Sequence, residues 1–192
     1  MQMLSKSLLS LVLITLSTLF VSGCATQVTE EPSKITRSDI PFGQFDKVVL
    51  VKAEIAEEFA GHGANVKAAN KIDEILAQKL SAQFGDFSVM TLEEAQQMFP
   101  GNTSNDNTLI IKPLIKQIKF IGGAARFWAG AMAGSSVVIM DTAFIDGNSG
   151  RVLSNPGYYR KAGAYTDIVG VASNEMLEDI AVDVANYTRT NF

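Results

Sequence analysis

The 192-residue chain is 47% hydrophobic and carries 16 basic against 20 acidic side chains, a formal net charge of −4. That balance argues against nucleic acid as a partner. One cysteine and one histidine exclude an internal disulfide and leave too few ligands for an ordinary zinc site, so stability must come from a packed core, which a single domain of this length can bury.

The chain opens on residues 1–7, which hold one positive charge, Lys6, followed by a predominantly apolar run over residues 8–20. The run is too short to cross a bilayer as a helix, which takes about 20 residues, but it has the length and polarity of a signal-peptide core. It ends Val21-Ser22-Gly23-Cys24. An aliphatic residue, two small residues and a cysteine resemble the bacterial lipobox. That resemblance implies cleavage before Cys24, a diacylglycerol on its sulfur and acylation of the new amine. Several acyl chains hold a protein durably where one does so only marginally. Ala25, in place of the aspartate that favours inner-membrane retention, implies the outer membrane, with the protein facing the periplasm. Loss of Lys6 from the 16 basic residues leaves 15 against 20 acidic ones, near −5. Residues 1–23 are thus read as a signal peptide, 24–41 as a lipidated tether and 42–192 as one domain. The tether, ATQVTEEPSKITRSDIP after the cysteine, has two prolines and no apolar period, the composition of a flexible linker.

From Phe42 the pattern becomes periodic. FDKVVLVKAEI alternates, with Val49, Val51, Ala53 and Ile55 on one face, and predicts a strand. EEFAGHGAN, with His62 between two glycines, reads as a loop. Over residues 66–84, Ala69, Ile72, Ile75, Leu76, Leu80 and Phe84 follow helical spacing, and Gly85 stands where a helix would stop. DFSVMT predicts a short strand. Thr91 and Glu94 form a capping-box pattern for a short helix that Pro100-Gly101 ends. TLIIKPLIKQIKF predicts a long strand in which Pro113 argues for an edge or a bulge. SSVVIMDTAFID is a second long strand, GNSG a turn, and RVLSNPGYYRKAG a third, irregular strand. Asp167 is placed to cap a final helix over 168–188 with the stripe Ile168, Val171, Leu177, Ile180, Val184 and Tyr187. The order predicts an α+β domain: a largely antiparallel sheet, its last three strands a meander, with two main amphipathic helices packed on one face.

The segment GGAARFWAGAMAG, residues 122–134, supplies the candidate interaction residues Gly122, Gly123, Arg126, Phe127, Trp128, Gly130 and Gly134. A close-packed connection between strands is the plainest reading. A shallow membrane-inserting or self-associating patch anchored by Phe127 and Trp128 is the main alternative. A transmembrane helix would bury Arg126 at a cost of roughly 2.5–3.5 kcal/mol, and the glycine order fits neither phosphate-loop pattern. The lipobox, FDKVVLV, this segment and VVIMDTAFIDGNSGRVL together resemble a family of uncharacterised Gram-negative lipoproteins that carry a domain of unknown function. Asp146, Ser149, Gly150, Val152 and Leu153 match its strand–turn–strand. The layout is more distantly similar to periplasmic lipoproteins that activate peptidoglycan synthases and to the curli secretion pore subunit. These likenesses imply partner binding or ring assembly, with no catalytic residues to carry over.

Little else suggests chemistry. His62 lies in a glycine-flanked loop. Glu57/Glu58, Glu93/Glu94 and Glu178/Asp179 are neighbours that a helix points apart. DGNSG is too short for a calcium loop. Lys112, Lys116 and Lys119 read as charges that discourage aggregation at a β edge. The expectation is a non-catalytic binding or assembly module with no metal, cofactor or nucleic acid, held to the membrane through Cys24 and meeting an envelope protein partner. A subunit of a homo-oligomeric or secretion assembly is the second reading, and an envelope enzyme the third.

Overall fold

A computed structural model describes residues 33–103, 106–122, 134–162 and 170–192. Seven strands form one sheet: β1 Lys47–Val51, β2 Glu54–Ile55, β3 Phe87–Met90, β4 Thr108–Lys119, β5 Val137–Asp146, β6 Arg151–Ser154 and β7 Gly157–Lys161. The helices are α1 Glu57–Ala60, α2 Gly63–Ser81, α3 Leu92–Met98 and α4 Val171–Thr190. The sheet order is β3-β1-β4-β5-β6, with β2 beside β4 and β7 beside β5. The long pairs made by β5 with β4, β6 and β7 are antiparallel, whereas β1 pairs with β3 and β4, and β2 with β4, in parallel. The expected α+β class, with a largely antiparallel sheet, is what forms. Its β1–β3 pair is parallel because α2 carries the chain back across the sheet between them, the crossover that parallel strands require.

α2 and α4 pack side by side on one face. α2 buries Ala69, Ile72, Leu76 and Leu80, and α4 buries Leu177, Ile180, Val184 and Tyr187. Both rows meet Val48, Leu50, Ile111, Ile115, Val138, Met140 and Phe144 from the sheet. Val171, expected in the α4 stripe, is 53% exposed. Ile168 and Asp167 lie outside the described residues. A smaller core covers one region of the opposite face, where α3 sets Ala95, followed by Phe99, against Val49, Val51, Met90, Ile110 and Ile145. β1 is therefore apolar on both faces. A single alternating stripe through Val49 and Val51 accounts for only half of it.

Three local predictions resolve differently. The single strand expected over 45–55 is two, β1 and β2, with a break at Lys52 and Ala53. Pro113 lies opposite that break: Ile111 pairs with Leu50, Leu114 pairs with Glu54, and nothing in β1 or β2 pairs with Pro113 between them. A residue without an N–H is accommodated inside a central strand where the neighbouring strand is itself interrupted. β4 is thus no edge, and its irregularity falls further on, between Ile115 and Gln117. EEFAGHGAN is not a loop throughout, because Phe59 is buried and folds its surroundings into α1, and α2 begins at Gly63. The third irregular strand is likewise two, split at Asn155-Pro156, and both halves pair with β5. The capping box forms as expected: Glu94 N–H donates to Thr91 Oγ1 at 3.2 Å and Thr91 N–H to Glu94 Oε2 at 2.7 Å.

The β1–β2 break is held from α2. Ala53 N–H donates to Asp73 Oδ1 at 2.9 Å, and Lys52 N–H to Met90 O at 2.9 Å. Asp73 is buried, and desolvation outweighs the Ala53 hydrogen bond and the attraction of Lys52, pushing its carboxyl up to about 6. A raised folded-state value favours the protonated form on folding. The group's contribution to stability is therefore full in acid and is lost as pH rises through about 4 to 6. Asp73→Asn keeps an oxygen acceptor for Ala53 and cannot ionise. Its stability relative to the parent should rise by roughly 1–3 kcal/mol between about pH 4 and pH 7. Urea unfolding of both proteins across that range checks this, and a pH-independent difference would refute it.

Candidate functional site

The glycine-rich segment springs from the end of the β4–β5 hairpin, and the residues at its base form a buried polar lock. The Ile121 N–H donates to Ser136 Oγ at 3.0 Å, and the Ser136 and Ser173 hydroxyls are 2.7 Å apart. Ser173 Oγ also reaches Ile121 O at 3.5 Å. Asn65 of α2 accepts from Phe120 N–H at 3.0 Å and donates to Phe59 O at 3.2 Å and Ile118 O at 3.1 Å. Ala162 N–H, just past β7, donates to Ser136 O at 2.9 Å. Asn65, Ser136 and Ser173 are all buried. The lock therefore ties the first turns of α2 and α4 to the ends of β4, β5 and β7.

Of the predicted segment, Gly122 and Gly134 are described and stand on either side of the lock's β5 and β4 ends. Gly134 has φ +77°, the left-handed region in which glycine is unstrained. Gly123, Arg126, Phe127, Trp128 and Gly130 lie outside the described residues, as does Cys24. Sequence reasoning missed Asn65, Ser136 and Ser173. Only Asn65 left a readable signal, a polar side chain four residues before Ala69 on the apolar stripe of α2.

A second feature is the path of residues 33–41 along the domain, over part of the span expected as tether. Lys34 and Gly157 exchange backbone hydrogen bonds of 2.9 and 2.8 Å in an antiparallel bridge, and Tyr159 N–H donates to Ser33 Oγ at 3.1 Å. Further along, Tyr187 Oη donates to Thr36 O at 2.6 Å and Ser38 N–H to Asn191 Oδ1 at 2.9 Å. The strap ends at Phe42, which is fully buried with its ring stacked 4.8 Å from Phe144. Between the strap and α4 runs a groove of about 460 Å³ lined by Ile35, Arg37, Asp183, Asn186, Tyr187 and Thr190. Asp183 pairs with Arg160 at 2.6 Å. Burial raises its carboxyl, and the guanidinium opposes that rise.

Several of the remaining candidates have structural duties. His62 sits exposed at the start of α2. Lys112 pairs with Glu54 at 3.7 Å and Lys116 with Asp141 at 3.3 Å, across neighbouring strands of the sheet. These two lysines serve a central strand and not an edge. The Asp146 carboxylate closes its own turn, accepting from Asn148 N–H at 2.9 Å and Ser149 Oγ at 2.6 Å, while Gly150 takes φ +71°. Among the described residues no three His, Cys, Asp or Glu side chains are grouped to hold a metal, and no helix is long and apolar enough to cross a membrane.

No family model matches the chain, and no curated protein matches it. Solved structures do. PelC from Paraburkholderia phytofirmans, solved as a dodecamer, is similar over 78% of this chain and 93% of its own at 17% identity, with a TM-score of 0.50. A Xanthomonas campestris protein of the DUF330 family matches over 81% and 93% at 10% identity, TM-score 0.46. A minor lipoprotein of Acinetobacter baumannii matches over 77% and 94% at 12% identity, TM-score 0.38. At 17% identity the likeness to PelC is one of fold.

The lock makes a testable demand. Asn65→Ala removes three hydrogen bonds and strands Phe59 O, Ile118 O and Phe120 N–H at a buried site, so it should cost about 2–4 kcal/mol. Ser173→Ala, which removes one hydroxyl partner of Ser136, should cost about 1 kcal/mol. Denaturant unfolding measures both; an Asn65→Ala cost no larger than that of Ser173→Ala would mean that the lock does not hold the hairpin end.

Proposed function

We propose that this chain is a lipid-anchored protein of the bacterial envelope, a binding or assembly module without catalytic activity. Its anchor is Cys24 in the outer membrane, and its domain faces the periplasm. The observation that carries the reading is the sequence Val21-Ser22-Gly23-Cys24, placed directly after a signal-length apolar run and containing the chain's sole cysteine. Of the polar side chains that sequence alone offers for chemistry, Glu94 is taken up in a cap, Asp146 in a turn, and Lys112 and Lys116 in cross-strand ion pairs. Residues 122–134, with Arg126, Phe127 and Trp128 at their centre, are the proposed contact segment for an envelope protein partner.

A second reading, a homo-oligomeric assembly, is favoured by two observations. The similar fold of PelC was solved as a dodecamer, and the sheet here ends in two short strands, β3 and β6, each bonded to a single neighbour among the described residues.

Mass spectrometry of the envelope protein should find an acylated N-terminal Cys24, and Cys24→Ala should leave an unprocessed chain with normal unfolding behaviour. A Cys24→Ala protein that still fractionates as a mature outer-membrane protein would end the anchor reading. Native mass spectrometry of the acylated protein in mild detergent separates the two modes of action. A defined oligomer supports assembly, and a monomer that crosslinks to another envelope protein supports partner binding. In either case Trp128→Ala should weaken the association detected.

A further inference from the structure

The two strands that end the sheet have free edges that match each other. β3 turns Asp86 and Met90 toward β1, since Val48 N–H donates to Asp86 O and Lys52 N–H to Met90 O, each at 2.9 Å. Residues of a strand alternate in this respect, so Phe87 and Val89 turn their N–H and C=O groups outward. At the other margin Gly147 N–H donates to Thr108 O at 2.8 Å. Ile145, two residues earlier, faces β4 in the same way, and Val152, paired with Ile145, therefore faces away from β5. Among the described residues no backbone group meets Phe87, Val89 or Val152 on that outer side. Direction and row agree as well. β1 and β3 run parallel to β4, β5 runs against it, and β6 runs against β5. β3 and β6 thus point the same way at opposite margins. One row crosses the sheet as Ser88, Val49, Ile110, Ile145 and Val152. A second copy set alongside in the same orientation brings its β3 against β6 with Ser88 level with Val152. Val152 N–H then reaches the Phe87 carbonyl, and Val89 N–H reaches the Val152 carbonyl, which is the pattern of a parallel pair. Leu153 comes level with Val89, which is 40% exposed. The register shift after Val152 keeps this ladder short.

Charge favours this pairing over the symmetric ones. Asp86 and Arg151 are exposed at the starts of the two edge strands, and neither makes an ion pair among the described residues. Within one copy Asp86 has Lys47 beside it on β1, and Arg151 lies opposite Asp146, whose carboxylate closes its own turn. Asp46 and Asp106 stand at the same end but precede the inner strands β1 and β4. Thr103 lies against Gly150 at the start of β6, and residues 104 and 105 are outside the described residues. With β6 against β3, Arg151 of one copy falls level with Phe87 of the next and beside its Asp86. A fully overlapped antiparallel pair of two β3 strands would instead set Asp86 opposite Met90, where α3 begins with Glu93 and Glu94. An antiparallel pair of two β6 strands would bring two Arg151 guanidinium groups together. Opposite charges meet only in the mixed pair, and like charges set face to face suppress the others.

We propose that copies of this chain join head to tail through the sheet, β6 of one against β3 of the next, in parallel and with Val152 level with Ser88. Such a contact uses a different patch on each partner, so it repeats into a ring or a filament and does not stop at a pair. This rests on the homo-oligomer reading above. The test uses the acylated mature protein in mild detergent, with the parent, whose sole cysteine is Cys24, as the blank. Val89→Cys and Val152→Cys combined in one chain should give a ladder of multimers with a short bismaleimide, while each single variant stays uncrosslinked. Asp86→Arg or Arg151→Asp alone should lower the oligomer fraction in native mass spectrometry several-fold, and the two together should restore it, a recovery that a misfolded variant would not show. A defined oligomer overturns the edge pairing, and leaves the homo-oligomer reading in place, if a single-cysteine variant crosslinks with itself, if the double variant gives no ladder, or if the charge swap restores nothing. A parent protein that is monomeric overturns both.

Discussion

Pairing of β4 with β5 is the constraint from which the rest of the domain follows. The two strands pair from Leu109–Asp146 to Lys119–Val137, with one shift of register between Ile115 and Gln117. They project Ile111, Ile115, Val138, Met140 and Phe144 as one continuous apolar surface. α2 and α4 lie on that surface, β1 and β2 extend it on one side, and β6 and β7 extend it on the other. Antiparallel strands of this length need only a hairpin to meet. The parallel strands β1 and β3 join through α2, whose burial holds them in place. An interruption in the hairpin would therefore remove the platform as well as the pair.

That dependence explains where polar groups are tolerated in the core. Asp73 holds the N–H of Ala53 where β1 gives way to β2, opposite Pro113. Asn65, Ser136 and Ser173 close the end of the hairpin. Each of these four side chains meets backbone groups that strand pairing leaves over, and an unmet buried group is costly. The strap adds a third such junction, since Tyr187 of the last helix and Asn191 just past its end bind the backbone of residues that precede the first strand. Residues 33–41 are thus held by β7 and α4 together before the chain reaches Phe42.

Much of this was legible in the sequence. Helical spacing in α2 and α4 reports a face that packs on a flat partner, and that signal is local. The capping box at Thr91 and Glu94 and the turn at Asp146 are local too, and both formed as read. The errors came where a neighbour distant in sequence decides. Pro113 suggests an edge when taken alone, yet it lies centrally because β1 and β2 break opposite it. Asn155-Pro156 splits a strand whose halves both pair with β5. Val171 sits at helical spacing with the α4 stripe, but the helix begins there and the residue is left exposed.

Sequence by itself determined the class of fold, since apolar periodicity is a property of contiguous residues. Tertiary structure alone decided three things. One is that α2 and α4 start at the same end of the sheet. Another is that Asn65, Ser136 and Ser173 meet there from three separate elements. The last is that residues 33–41 run along β7 and toward α4. Each depends on contacts between residues tens to more than a hundred positions apart, and no local pattern encodes which distant backbone group a strand edge or a buried amide will find.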